Sequence, residues 1–237
     1  MKTIKRIVLV FVAILSISTM NAQEEESSSS IDLGLDVQSR YIWRGLQFGG
    51  SSPSLQPYIE LSTGKFAFGA WGAYSTGGVS AGQESDLYAT FNATDNFSIT
   101  LIDYFFPTEG VSMDYLKYNG HVLELMLGYA AGDFGFTVAT NIAGNADLDS
   151  NGDQAYSTYA EISYGATIGS ADFGIFAGAV FMDDAGYYLT SGSGFINLGI
   201  SASKEIKITD SFRLPVNAAL IVNPDAENVY LTFGFSL

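Results

Sequence analysis

The 237-residue chain contains no cysteine and few basic side chains. Without cysteine it has no disulfides, no thiolate metal site and no lipoprotein anchor. Lysine and arginine number 10 against 25 acidic residues, a formal net charge of −15. Phosphate binding needs clustered Lys and Arg, so this balance argues against nucleic acid as a partner. Charged residues make up only 15% of the chain, against about 25% in ordinary soluble domains. A soluble domain so poor in charge would expose too much apolar surface, whereas a lipid-facing one would not. Beyond the N-terminal segment, no stretch approaches the roughly 18 apolar residues of a transmembrane helix. Any membrane span must therefore be made of strands.

What is present begins with an export signal. Lys2, Lys5 and Arg6 precede an apolar run from Ile7 to Ile17, and Asn21-Ala22-Gln23 offers cleavage after Ala22. Residues 1–22 read as a cleaved signal peptide. Residues 23–30, Q-E-E-E-S-S-S-S, read as a disordered acidic and serine-rich linker. The mature chain loses three basic residues and no acidic ones, so its net charge falls from −15 to −18.

Residues 31–237 alternate with a period of two. In the last nine residues, Val229, Leu231, Phe233, Phe235 and Leu237 share one face, and Tyr230, Thr232, Gly234 and Ser236 share the other. The same pattern opens the segment, with Ile31, Leu33, Leu35, Val37, Tyr41 and Trp43 opposite Asp32, Gly34, Asp36, Gln38, Arg40 and Arg44. This reads as one strand reaching Arg44, followed by an outer loop over residues 45–54. In all, about twelve strands of roughly nine or ten residues are legible, an even number suited to tilted spans. Short turns near Gly64, Asp95, Gly132 and Ser170 alternate with longer Gly-, Ser-, Asn- and Asp-rich connections. The fold class is all-β: a transmembrane antiparallel up-and-down β-barrel in the bacterial outer membrane. The apolar, aromatic last strand closes the sheet against the first and resembles the terminal signal by which the barrel-assembly machinery recognises such proteins for insertion.

Two features break the alternation. Counting from Phe97 puts Asp103 on the lipid face, and a bulge near Leu101-Ile102 is expected to turn it inward, with Tyr104 and Phe106 outward. Pro57 and Pro215 cannot donate to a ladder and are expected near a rim.

Inward positions carry the candidate chemistry. Asp36, Arg40, Arg44, Glu60, Asp86, Glu124 and Glu161 fall on the lumen face. They could form a constriction that sorts solutes by sign, or Arg40 and Arg44 could pair with Glu60 and Glu124 to fill the barrel. Tyr58, Trp71, Tyr88, Tyr159, Phe176, Phe195 and Tyr230 are also inward, as a path for sugar rings or as lumen packing. Asp147, Asp149, Asp153, Asp183, Asp184, Asp225 and Glu227 make the outer loops acidic. Asp147, Asn151 and Asp153, with Asp149 and Gly152, resemble the start of a calcium loop, although the twelfth position is Thr158 rather than Glu. No other cofactor is implied. His121, the sole histidine, lies at the start of a descending strand, where a lipid hydrolase would carry its base; no Ser and Asn or Asp partner is identifiable.

Tyr41-Ile-Trp-Arg44-Gly45, Pro53-Ser-Leu-Gln56, Gly69-Ala-Trp71-Gly72, Asp86-Leu-Tyr88, Tyr104-Phe-Phe-Pro107 and Glu124 resemble the TorF-like family of outer-membrane porins, over roughly residues 31 to 130. The resemblance implies a single-chain barrel acting as a passive channel, and it brings no substrate with it. Asp103 and the acidic outer loops depart from the family. The expected function is passive diffusion of small polar solutes through a lumen narrowed by Arg–Glu pairs beneath an acidic mouth, with no enzymatic activity and with membrane lipid as the surrounding partner. The alternatives are a closed structural or surface-interaction barrel whose loops bind a ligand or ions, and, more remotely, the lipid hydrolase.

Overall fold

A computed structural model of the chain describes residues 29–78, 82–107, 115, 120–190 and 192–237. The signal peptide and most of the linker lie outside the described residues.

Among the described residues the alternating sequence becomes fourteen strands: β1 (Ser30–Gln38), β2 (Tyr41–Trp43), β3 (Leu46–Phe48), β4 (Ser54–Thr63), β5 (Phe66–Ser75), β6 (Gln83–Asn92), β7 (Phe97–Phe105), β8 (His121–Ala131), β9 (Phe134–Gly144), β10 (Thr158–Ile168), β11 (Ala171–Met182), β12 (Gly194–Lys207), β13 (Arg213–Asn223) and β14 (Asn228–Ser236). Twelve of them form one closed antiparallel barrel in sequential order, and β2 and β3 form a separate two-stranded sheet. Closure is made by β1, which pairs along its whole length with β4 but with β14 only over Asp36–Gln38. The backbone of Leu237 extends that seam, exchanging hydrogen bonds with Leu35 at 3.0 Å. Joining the first and last strands closes the sheet, which is the condition for placing strands in lipid.

The outer face carries a belt of exposed Leu and Ile, including Leu87, Leu125, Leu127, Ile162, Ile175, Ile200, Leu220 and Leu231. Aromatic side chains flank it at both ends. Phe66, Phe91, Tyr129, Phe134, Tyr164 and Phe173 lie at the end of the short turns, and Tyr74, Phe181 and Phe195 at the end of the long loops. This is the band-and-girdle pattern of a bilayer-spanning barrel. Short turns at one end and long loops at the other place both ends of the barrel domain on the periplasmic side, with the long loops outside.

Three expectations about the strands are corrected. First, β1 stops at Gln38, and residues 41–48 turn away from the wall as the β2–β3 hairpin. Second, β7 contains no bulge. It pairs residue by residue with β6 and β8 from Ser98 to Phe105, which leaves Asp103 outward between Leu87 and Leu123, with Tyr104 inward. The carboxylate is tolerated because it has partners close to the outer rim. His121 Nδ1 lies 2.8 Å from Asp103 Oδ1, and Tyr115 donates its hydroxyl to Oδ2 at 2.8 Å. Phe105 and Tyr115 cover the imidazole, which is only 1% exposed. Third, Phe195 points outward at 57% exposure, because a register shift between Gly178 and Ala179 pairs Ala179 with Phe195 and leaves Ile196 as the extra, buried residue.

Pro215 lies at the periplasmic end of β13 opposite Glu205. Pro57 sits on the outer face of β4 in its outer half, where the recorded pairing with β5 lapses between Leu55 and Tyr58.

The pairing of Asp103 with His121 should be measurable. His121→Leu is expected to lose about 1–3 kcal/mol by stranding the carboxylate. The double variant Asp103→Leu/His121→Leu should regain it, as read by urea unfolding in lipid vesicles. An unchanged midpoint in the single variant would contradict the pairing.

Candidate functional site

The site starts from a turn. Trp43 pairs with Leu46, so Arg44 and Gly45 are the two central turn residues, with φ of 49° and 79°. Two consecutive positive φ values give the tight hairpin turn whose twist matches its strands. Gly45 is required on a second count: a Cβ there would lie 1.8 Å from the carbonyl oxygen of Ile196. The hairpin tip therefore lies directly against the inner side of β12. Asn223 Nδ2 on β13 donates to the Gly45 carbonyl at 3.1 Å, fixing the tip from the adjacent strand.

At this tip Arg44 crosses the lumen to β8. Its Nη1 and Nη2 donate to Glu124 Oε2 and Oε1 at 2.5 and 2.9 Å, and Nη1 also donates to the Tyr188 hydroxyl at 2.7 Å. Tyr104 on β7 donates its hydroxyl to the same carboxylate at 3.0 Å. The guanidinium lies over the rings of Trp43 and Tyr159 at 4.4 and 4.8 Å. Glu124 is 0% exposed. A buried ion pair of this kind adds little net stability, but losing one partner leaves a bare charge and costs about 3–5 kcal/mol. Its role is therefore to set position.

Apolar packing follows the ion pair. Leu46, Tyr159, Val180, Tyr188 and Ile196 form one buried cluster, with Trp43, Phe48 and Tyr187 packed against it. Trp43 stacks on Tyr188 and meets Tyr104 edge-on. On the opposite wall, Tyr41 at the hairpin base lies 5.5 Å from the ring of Trp71 on β5. The outer half of the lumen is thus filled, and its wall residues Ser54, Glu84, Asp86, Asn141 and Asn197 are buried. Toward the periplasm, the inward residues Asp36, Tyr58, Glu60, Tyr88, Thr137, Ser163, Ser201 and Asn217 are only partly buried. The aromatic rings there lie against the wall: Tyr88 covers Gly69 and Phe176 covers Gly199, where any Cβ would collide with the ring.

The expected lumen residues are thus distributed unevenly. Arg44 and Glu124 meet as anticipated. Arg40 does not reach Glu60; its Nη1 donates to Gln47 at 3.2 Å, while Glu60 accepts from Tyr88 and Ser62 at 2.9 and 3.0 Å. Glu161 accepts from Tyr159 and Asn197, and Asp36 from Ser236. Trp71, Asp86, Tyr159 and Tyr230 face inward.

The outer loops are less acidic than their composition. Asp147 is buried, accepting from Ser157 Oγ and Gln154 Nε2 at 2.5 and 2.7 Å, and Asp183 accepts from Thr190 and the Tyr188 amide. The backbone amides of Asp153 and Asn151 bind Asp149 and hold its carboxyl below the usual range. Asp147 and Asp149 thus spend their oxygens within the loop. Among the described residues, no group of three or more His, Asp or Glu side chains is placed to share a metal ion. Asp153, Asp184, Asp225 and Glu227 stay exposed at the mouth.

Several members of the site were missed. Glu84 lies two before Asp86 on the same face and was legible by parity. Asn223 and Asn141 were legible in the same way. Tyr188 sits in a loop, where no period exists to find it.

Gly45→Ala is expected to expel the hairpin tip while leaving the wall intact. The readout is new protease cleavage within residues 39–53 at unchanged far-ultraviolet circular dichroism. Continued resistance would contradict the docking.

The sequence profile of a family described as "Bacterial protein of unknown function (Gcw_chp)" matches residues 22–227. No curated protein sequence matches the chain. Among solved structures, the porin NanC is similar with a TM-score of 0.54 at 9% identity, over 86% of this chain and 98% of that one. Wzi, an Escherichia coli outer-membrane protein involved in group 1 capsule assembly and described as a carbohydrate-binding β-barrel, gives a TM-score of 0.35 at 8% identity, over 87% of this chain and 56% of that one. The first likeness supports the fold, and the second is too distant to carry argument. By its profile the chain belongs to the Gcw_chp family of bacterial proteins of unknown function, and by its fold it is a porin-like outer-membrane β-barrel.

Proposed function

We propose that the protein is a channel for passive diffusion of small polar solutes, with the β2–β3 hairpin as its constriction. One observation carries this reading. The lumen is obstructed by a loop folded in from the outer end, while the wall behind it keeps a polar, partly exposed face toward the periplasm. Loops of this kind set the width of a barrel pore without closing its wall. The resemblance to TorF-like porins supports the same reading: Tyr41–Gly45 is the hairpin itself, and Trp71, Tyr104 and Glu124 are its wall contacts.

A second reading is favoured by the dryness of the tip. Glu124 and Tyr188 are both 0% exposed. If the hairpin never shifts, the protein is a closed barrel that acts through its outer loops.

Single-channel recording in planar bilayers separates the two. Wild-type protein is expected to give small conductance steps. The double variant Arg44→Ala/Glu124→Gln, which removes the tether without leaving a bare buried charge, should give larger ones. Steps of unchanged size in the variant would refute the hairpin as the constriction, and silence from both proteins would favour the closed barrel.

A further inference from the structure

We infer that the lumen admits small cations in preference to anions, and that Glu84 and Asp86, beside Trp71, form the position that selects them. This inference rests on the channel reading above and narrows its solute class.

The wall carries charge of one sign. Asp32, Asp36, Glu60, Glu84, Asp86 and Glu161 share the inward face of their strands. Among the described residues above the periplasmic rim, the basic side chains inside the barrel are Arg40 and Arg44, and Glu124 already neutralises Arg44. A low-dielectric tube lined in this way focuses a negative potential along its axis.

Within that field, Glu84 and Asp86 stand out. They lie two residues apart on β6, face the same side and are 4% and 6% exposed. Tyr41 of the hairpin and Asp86 are the interacting side chains nearest Glu84. No basic side chain among the described residues pairs with either. Asp86 Oδ1 is fully buried and has no hydrogen-bond partner. Buried carboxylate oxygens are compensated by a donor or a cation, and this one oxygen has no donor. The flanking side chains suit a cation. Trp71 and Tyr104 are the register neighbours of Asp86 on β5 and β7, and Tyr41 packs on Trp71. Aromatic faces beside carboxylates attract inorganic monovalent ions and small ammonium groups and offer nothing to an anion.

The placement also fits the hairpin. Arg44 ties the tip to β8, away from β5 and β6, so the acidic pair borders the base of the hairpin rather than its anchored end. A solute that enters the β5–β6 side when the hairpin shifts meets these carboxylates with no arginine bonded to them.

The test is the reversal potential of the full-length protein in planar bilayers under a potassium chloride gradient. Wild-type channels are expected to pass potassium over chloride by about tenfold. The double variant Glu84→Gln/Asp86→Asn, with barrel closure checked by heat-modifiable gel mobility, should lose most of that preference. A wild-type ratio near one, or a chloride preference, would overturn the inference while leaving the channel reading intact. A selective wild type with an unchanged ratio in the double variant would overturn the placing of selection at this pair. Absence of any steps would remove the channel reading, and this inference with it.

Discussion

Arg44 is carried into the barrel on a two-residue turn, and there its charge must be met or the turn must leave. Glu124 meets it with both oxygens, and the rest of the site is arranged around that pair. Tyr104 and Tyr188 use their hydroxyls on it, and Trp43 and Tyr159 lay their rings against the guanidinium. Asn223 holds the turn carbonyl. Because desolvation offsets most of the attraction in such a pair, its contribution is to fix how far the hairpin enters and which wall it touches. Apolar packing of Leu46, Tyr188 and Ile196 then supplies the stability.

The constraint divides the barrel along its axis. The outer half behaves like the core of a soluble domain, close-packed around the Arg44–Glu124 pair. The periplasmic half behaves like a polar vestibule whose rings lie flat on glycine-lined wall. The outer loops join the first half rather than forming a free acidic canopy: the loop between β11 and β12 sends Tyr188 inward, and Asp147 and Asp183 serve as internal acceptors. Among the described residues, Asp153, Asp184, Asp225 and Glu227 are exposed at the mouth, above a lumen whose unpaired charges are mostly acidic.

Much of the wall was legible because lipid imposes a strict rule. Side chains alternate, backbone groups must pair and the sheet must close, so strand number, order and most inward residues follow from period two. The failures have local causes. Tyr41-Ile-Trp43 alternates as a wall strand does, so periodicity ran through Ser39 and Arg40 and missed the departure; the signal was Arg44-Gly45 between two short apolar runs. Asp103 violates the lipid rule, and a bulge was the cheapest repair visible in one strand. The actual repair comes from His121 and Tyr115, which are distant along the chain. Phe195 went astray through a register shift that no single-strand pattern records. Arg44 with Glu124 was a correct pairing reached through an incorrect strand.

The central claim is that one internal hairpin, and not the barrel wall, limits passage through the lumen. The most direct measurement compares single-channel conductance of the full chain with that of a chain in which residues 41–48 are replaced by a short Gly-Ser linker. The account predicts a closed barrel in both and a clearly larger, stable conductance in the second. Equal conductance, or none in either, would contradict it.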